Sequence, residues 1–148
     1  MQAYLFQGIT EVTRQRILES AREESHAQGD FIFRQGDPAH HLFLLVEGRV
    51  RLSQGRRGLL AYVVSDPGDL IGWSSLVDND AYTASAECLL PVKVLRIEKQ
   101  RLDEILNQDP ASGMVIFKHL AVLIGRRLVN SYQATLSVQG EREPQPGG

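Results

Sequence analysis

Apolar residues follow two rhythms along this chain, and the change falls near residue 99. From Gly29 to Lys99, short apolar runs are separated by Gly, Asp and Pro: "DFIFRQGDPAHH", "LFLLVEGRVRLS", "QGRRG", "LLAYVVSDPGD" and "TASAECLLPVKVLRIE". Val50 and Leu52 fall on one side of an extended segment, Arg49 and Arg51 on the other. Turn signals recur about every 8 to 12 residues, which predicts a sandwich or barrel of short strands rather than alternating strands and helices. Gly36, Gly48 and Gly68 stand where strands end or bend and are read as turn glycines.

Both ends of the chain read as helical. Ile9 to Gln28 predicts a helix with Thr10 as N-cap, Val12, Ile17, Leu18 and Ala21 as its inner stripe, and Gly29 as its stop. "EKQRLDEILNQD" predicts a short amphipathic helix with Leu102, Ile105 and Leu106 inward. Asp109-Pro110 breaks the chain and restarts it. A long helix then runs from Pro110 to about Gln139. Within it Phe117, Ala121, Ile124, Leu128, Ser131, Thr135 and Val138 alternate spacings of four and three, a heptad seam that grows more polar. The part through Ile124 is expected to serve the domain itself. The part from Leu128 onward needs a second copy, so Phe117, Ala121, Ile124, Leu128, Ser131 and Thr135 are the expected homodimer interface. Residues 1–139 are expected to form one domain, and 140–148, "GEREPQPGG", a flexible tail or linker.

Composition narrows the function. The 148 residues suit a single domain with a real core. A net charge of −2 argues against a broad basic surface for nucleic acid. The one cysteine, Cys88, excludes an intrachain disulfide and an all-cysteine metal site, and fits a reducing compartment. The N-terminus lacks the basic and apolar regions of a signal peptide, and no apolar run reaches the length of a membrane span. The expected location is the cytoplasm. "GWSSL" has Leu76 where a nucleophile elbow needs glycine, and neither H-E-x-x-H nor a Walker loop occurs. The reading is therefore not an enzyme, and no metal site is expected.

One stretch carries the functional question. "GDLIGWSSLVDNDAYTASAE", Gly68 to Glu87, has glycines, a serine pair and a short apolar run, the outline of a loop that cradles an anion. Yet Gly58 to Val92 contains no lysine or arginine, while Asp66, Asp69, Asp78, Asp80 and Glu87 make it acidic.

Four segments in order, "FIFRQGDPAHHLFLLVEGRVRL", "GDLIGWSSL", "VLRIEKQRLDEIL" and "GRRL", resemble the cyclic-nucleotide-binding domain, and most of all the catabolite activator and fumarate-nitrate regulator (Crp/Fnr) group. The resemblance implies a double-stranded β-helix, or jelly roll, with an N-terminal helix and a long C-terminal dimerisation helix. It also implies a phosphate-binding cassette: a glycine turn leading into a short helix whose amides face a cyclic phosphate, with a glutamate for the ribose hydroxyl and an arginine for the phosphate. Here Gly68 and Gly72 keep the turn, but Trp73 stands in the glutamate's place and Tyr82 in the arginine's, with Thr83 as the following hydroxyl residue. A guanidinium makes paired charge-assisted bonds to phosphate at about 1.5–3 kcal/mol each. Cyclic AMP and cyclic GMP in the usual pose are therefore disfavoured.

The expected pocket residues are Gly72, Trp73, Ser74, Ser75, Tyr82 and Thr83, with Ser131 and Tyr132 contributed by the long helix as relatives would lend hydroxyls to a base. Each carries a plainer alternative. Trp73 either fills the ribose space or stacks on a ligand; Tyr82 either donates to a ligand or caps a carbonyl. Ser74 and Ser75 either cap the short helix or hold a small anion, and Ser131 either meets a ligand or sets dimer register. His40 and His41 read as exposed turn residues, Cys88 as a small buried one, and His119 either as structural or as an axial haem ligand. No cofactor is expected beyond an unidentified small-molecule effector. The resemblance implies the effector-sensing half of a transcription regulator, meeting DNA only through a helix-turn-helix domain absent from this chain. The alternatives are a ligand-free dimerisation or docking scaffold, and a haem-based gas sensor.

Overall fold

A computed structural model describes residues 3–55, 60–77 and 80–142, with residues 60, 61 and 130–142 described as backbone only. After a short 3₁₀ turn at Tyr4–Phe6 comes α1 (Glu11–Ser20), then β1 (Arg22–His26), β2 (Phe31–Phe33), β3 (His41–Glu47), β4 (Val50–Gln54), β5 (Leu60–Val64) and β6 (Leu70–Ile71). A second 3₁₀ turn, Trp73–Val77, leads to β7 (Ser85–Cys88) and β8 (Val92–Glu98), and α2 (Lys99–Gln108) and α3 (Pro110–Arg142) complete the chain. The strands form two four-stranded antiparallel sheets, ordered β1-β8-β3-β6 and β2-β7-β4-β5. The architecture is mainly β with flanking helices, the jelly roll that the resemblance implies.

The continuous apolar run of β3 is explained by its place between two cores. Leu42 and Leu44 join a cluster under the helices with Ile17, Ile97, Leu102, Ile116 and Leu120. Phe43 and Leu45 face the other way, into the space between the sheets, with Phe33, Val50, Val64, Tyr82 and Val94. A strand buried on both faces loses the alternation seen in β4, where Val50 is buried and Arg51 exposed.

Three expectations need correction. The N-terminal helix ends at Ser20, not Gln28, and residues 22–26 are strand β1. β1 pairs with β8 from Arg22↔Arg96 to His26↔Val92, and Arg96 holds Glu24 at 2.8 Å. Thr10 does cap α1, accepting from the Thr13 amide at 3.4 Å, but Val12 and Leu18 are exposed and only Ile17 of the proposed stripe is fully buried. Second, α3 runs to Arg142, past the expected end at Gln139; residues 143–148 of the expected tail lie outside the described residues. Third, the domain-facing stripe of α3 is offset by one residue from the predicted seam. Ile116 and Leu120 are buried with Leu123 packed beside them, whereas Phe117 and Ala121 are exposed. The same four-and-three spacing fits both stripes, so spacing alone does not choose between them. Ile124 sits at the border, half-buried against the helical core. Leu128 is 69% exposed; the side chains of Ser131, Thr135 and Val138 lie outside the described residues.

Asp109 ties the helices together where α2 turns into α3. Its carboxylate accepts from the hydroxyls of Thr10 at 2.8 Å, Thr13 at 2.7 Å and Ser112 at 2.5 Å. These three donors, led by Ser112, hold its pKa well below the usual carboxylate range. A lowered folded-state pKa means the contribution is complete above the unfolded value of about 3.9 and fades as pH falls through the folded one. Asp109→Ala is expected to lower the urea midpoint at pH 7. The gap to the wild type should narrow steadily below about pH 4; an equal gap at pH 7 and pH 2.5 would contradict this role.

Candidate functional site

The cassette is built at the junction of β6, the second 3₁₀ turn and the return toward β7. Gly68 and Gly72 adopt positive φ, +91° and +78°. At Gly72 the demand is double: a Cβ there would come within 3.1 Å of the Tyr82 ring and 3.2 Å of the Phe33 ring. The glycine that turns the chain is thus also the one that lets an aromatic ring approach it.

That ring is the centre of the site. Tyr82 stacks on Phe33 with centroids 3.8 Å apart, and its hydroxyl donates to the His41 carbonyl at 2.7 Å. Its backbone is clamped as well. The Tyr82 amide donates to Asp37, the Tyr82 carbonyl accepts from Gly36, and the Ala39 amide donates to Asp80. Burial pushes the phenol pKa up to about 12, so the group is a neutral donor at ordinary pH. Its single proton is already used on the main chain. Of the two readings for Tyr82, the geometry displays the capped carbonyl.

Ser74 and Ser75 are both buried. The Ser74 hydroxyl lies 3.3 Å from that of Thr83 and accepts from the Thr83 amide at 3.4 Å. The Ser75 hydroxyl donates back to the Gly72 carbonyl at 3.4 Å. Ser74 thus fastens the 3₁₀ turn to the segment leading into β7, and Ser75 closes the turn on its own glycine. Trp73 is half-buried and packs against the helical core. The space left among Leu52, Trp73, Ser74, Tyr82 and Thr83 measures only about 30 Å³, roughly one water molecule. A concavity of about 660 Å³ exists elsewhere, between α1, β1 and α2, lined by Arg22, Arg96, Glu98 and Arg101 among others. It is polar and open and includes His41, whose carbonyl accepts from Tyr82; a second, of about 620 Å³, is bordered by Tyr82 and Thr83 with Gln35, Gly36 and Gln54, and volume alone does not make either the functional site. Gly72, Trp73, Ser74, Ser75, Tyr82 and Thr83 are thus brought together; Ser131 and Tyr132 lie where side chains are not described.

The sequence reading missed Arg127. It reaches from α3 to the roll, where its guanidinium donates to the Leu70 carbonyl and lies 5.3 Å from the centre of the Tyr62 ring. Burial pushes its pKa down. Asp69, next to Leu70, has its own carboxyl pushed up, first by burial, with Arg127 acting in the opposite direction. The one signal for it in the sequence was "GRRL", whose adjacent cations do not reveal what either of them touches.

The remaining singled-out residues have structural roles. His40 is exposed as expected, but His41 is half-buried at the start of β3 and supplies Tyr82's acceptor, a correction to its reading as an exposed turn residue. Burial, followed by Arg96, lowers the His41 pKa. The His119 Nδ1 lies 3.2 Å from the Leu5 carbonyl, and its ring packs on Tyr4 with centroids 4.5 Å apart. Cys88 is buried, and its thiol is pushed up to about 11, chiefly by burial, which keeps it neutral and unreactive. Among the described residues no group of three His, Cys, Asp or Glu side chains is placed to hold a metal ion. No helix among them is long and apolar enough to cross a membrane.

A glycine-turned cassette between two antiparallel sheets, closed by a long helix, is the frame of a nucleotide-sensing module. The chain belongs to the cyclic nucleotide-binding domain family, whose model matches residues 23–109. It is 30% identical over 128 residues to the cyclic AMP receptor protein of Thermus thermophilus, covering 84% of this chain and 56% of that one. Two solved structures are similar. One is the N-terminal domain of a transcriptional regulator from Streptomyces coelicolor, with TM-score 0.66, 30% identity, and coverage of 90% of this chain and 91% of that one. The other, from Geobacter metallireducens, is provisionally described as a cyclic nucleotide-binding protein. It has TM-score 0.73, 32% identity, and coverage of 84% and 91%. A relative from the fumarate-nitrate side, the transcriptional activator Anr of Pseudomonas aeruginosa, is 29% identical over 113 residues, 74% of this chain and 43% of that one. The chain spans about half the length, or less, of the curated relatives it matches.

Proposed function

We propose that this chain is the cytoplasmic effector-sensing and dimerisation domain of a Crp/Fnr-type bacterial transcription regulator. It has no catalytic role, and its effector is not cyclic AMP or cyclic GMP in the usual pose. The observation that carries this reading is Tyr82. The cassette keeps its glycine turn and short helical segment, but a neutral ring stands where the resemblance calls for a phosphate-binding guanidinium. That ring is stacked on Phe33 and spends its one donor on the main chain. Dimerisation is supported by the outward face of α3, where Met114 is 62%, Phe117 43% and Leu128 69% exposed. An apolar stripe of that kind on a long helix calls for a second copy. DNA contact would belong to a helix-turn-helix domain beyond α3, in keeping with relatives about one and a half times this length.

A second reading has one specific observation in its favour. Only about 30 Å³ is left beside Trp73, as in a ligand-free scaffold built for pairing, while Tyr82 and Thr83 also border an open concavity of about 620 Å³ with Gln35, Gly36 and Gln54.

One experiment addresses both. The purified chain is titrated with cyclic AMP and cyclic GMP, with unfolding temperature and sedimentation followed in the same samples. Dimeric sedimentation and no saturable shift with either nucleotide are expected. A micromolar response to either one would show that Tyr82 does not close the cassette to nucleotide, and a monomer at all concentrations would end the pairing.

A further inference from the structure

The concavity of about 660 Å³ between α1, β1 and α2 is lined by charge of both signs, with Arg22, Arg96 and Arg101 set against Glu19, Glu98 and Glu104. Its size suits a small molecule, and its polar lining calls for a charged one. Arg22 stands directly opposite Arg96 in the β1–β8 ladder, and like charges so placed are unfavourable. Arg96 is answered by Glu24 at 2.8 Å and Arg101 by Glu104 at 3.1 Å. Arg22 and Glu98 enter no ion pair among the described residues, with each other or with any other group.

Their positions explain why. Arg22 opens β1. Glu98 closes β8, pairs with His41 on β3, and is the N-cap of α2, where its side chain makes no cap bond. It lies two residues beyond Arg96, the ladder partner of Arg22. Residues on such a diagonal start about 7–8 Å apart. Burial and Arg96 lower the His41 pKa, and Glu98 opposes them. Opposite charges that share a space without meeting are left to water, and one molecule bearing both signs answers both.

We infer that this concavity is a ligand site in its own right, and that its ligand is a small zwitterion of the amino-acid class. The carboxylate of the ligand lies between the facing guanidinium groups of Arg22 and Arg96 and relieves their repulsion. Its ammonium group is held by Glu98. A simple anion would leave the glutamates unanswered, and a polyamine would leave the arginines so. The site is separate from the cassette and does not depend on what the cassette binds. His41 joins the two: it lines the concavity, and its main-chain carbonyl accepts from Tyr82.

The test uses the full 148-residue chain and titration calorimetry near neutral pH. L-glutamate, L-arginine and L-alanine are the zwitterions, succinate the anion alone and putrescine the cation alone. At least one amino acid is expected to bind saturably at millimolar concentration or below, about 10-fold or more tighter than succinate and putrescine. Arg22→Gln and Glu98→Gln should each weaken that binding about 10-fold. Both side chains are exposed, so neither change touches the core. Arg49→Gln, outside the concavity, should bind as the wild type does. No saturable response to any amino acid would overturn the inference, as would succinate or putrescine binding as tightly as the best of them. An amino acid that binds both Arg22→Gln and Glu98→Gln as tightly as the wild type would place its site elsewhere and overturn the assignment to this concavity.

Discussion

Gly48→Ala is expected to leave little folded protein. Gly48 joins β3 to β4 at φ +110°, a conformation that side chains other than glycine rarely adopt. A Cβ there would lie 2.6 Å from the Pro91 carbonyl oxygen, 2.8 Å from Val92 Cγ2 and 2.9 Å from Val92 Cα. Two of those three atoms are main chain, and Val92 starts β8, the strand that binds both β1 and β3. The obstacle cannot rotate away as the end of a side chain would. Backbone strain of about 1–3 kcal/mol adds to an overpacking cost of about 1–3 kcal/mol. Their sum is a large share of the roughly 5–15 kcal/mol that holds an ordinary domain together. Gly36→Ala is the matched control. Its φ is +92°, but nothing lies within 4 Å of the added carbon, so only the conformational cost of about 1–2 kcal/mol applies. Soluble yield and urea midpoint would separate the two; equal effects would show that close approach to β8 is not what requires glycine at 48.

Removing the ring of Tyr82 should have the next largest effect. Tyr82 is 5% exposed, stacks on Phe33 and closes the sheet-facing core beside Phe43 and Val94. Tyr82→Ala is expected to destabilise the chain by about 3–5 kcal/mol, the usual cost of deleting a buried aromatic ring. Tyr82→Phe keeps the ring and loses the bond to the His41 carbonyl, a cost of about 1 kcal/mol. Urea unfolding of both variants checks this order. A loss below about 1.5 kcal/mol for alanine would mean that the site collapses around the gap, and that the ring is a loosely held lid rather than part of the core.

The two effects have a common origin. At two of the glycine turns, two segments come closer than a side chain allows. At Gly48 the neighbour is a strand of the same sheet; at Gly72 it is an aromatic pair inside the roll. That pair includes Tyr82, whose main chain is paired to residues 36–37, so Tyr82 is a core contact in this chain.

The strand region was legible because its signals are local. Alternation in β4, turn glycines at 36, 48 and 68, and a period change at residue 99 each depend on a few neighbouring residues. α2 was equally plain, with Leu102, Ile105 and Leu106 buried as its spacing requires. β1 was not. "REESH" has no apolar pattern, and it becomes a strand because β8 offers it a complete ladder and a set of cations for its glutamates. Its charges also blunt an edge that would otherwise invite another strand. The rotation of α3 was hidden for a different reason. Adjacent stripes on a helix share one spacing, and only the shape of the surface beneath decides which one turns inward.

Residue identity and short-range spacing were enough to set the strand-rich middle of the chain, α2, the turns and the family frame. Three-dimensional packing was needed for the rest. It stacked Tyr82 on Phe33, joined its hydroxyl to the His41 carbonyl, and brought Arg127 from 57 residues beyond Leu70 onto the Leu70 carbonyl. Such contacts join segments far apart in the chain, and the free energy that selects them comes from burial and closure of the whole roll, to which no short stretch holds the answer.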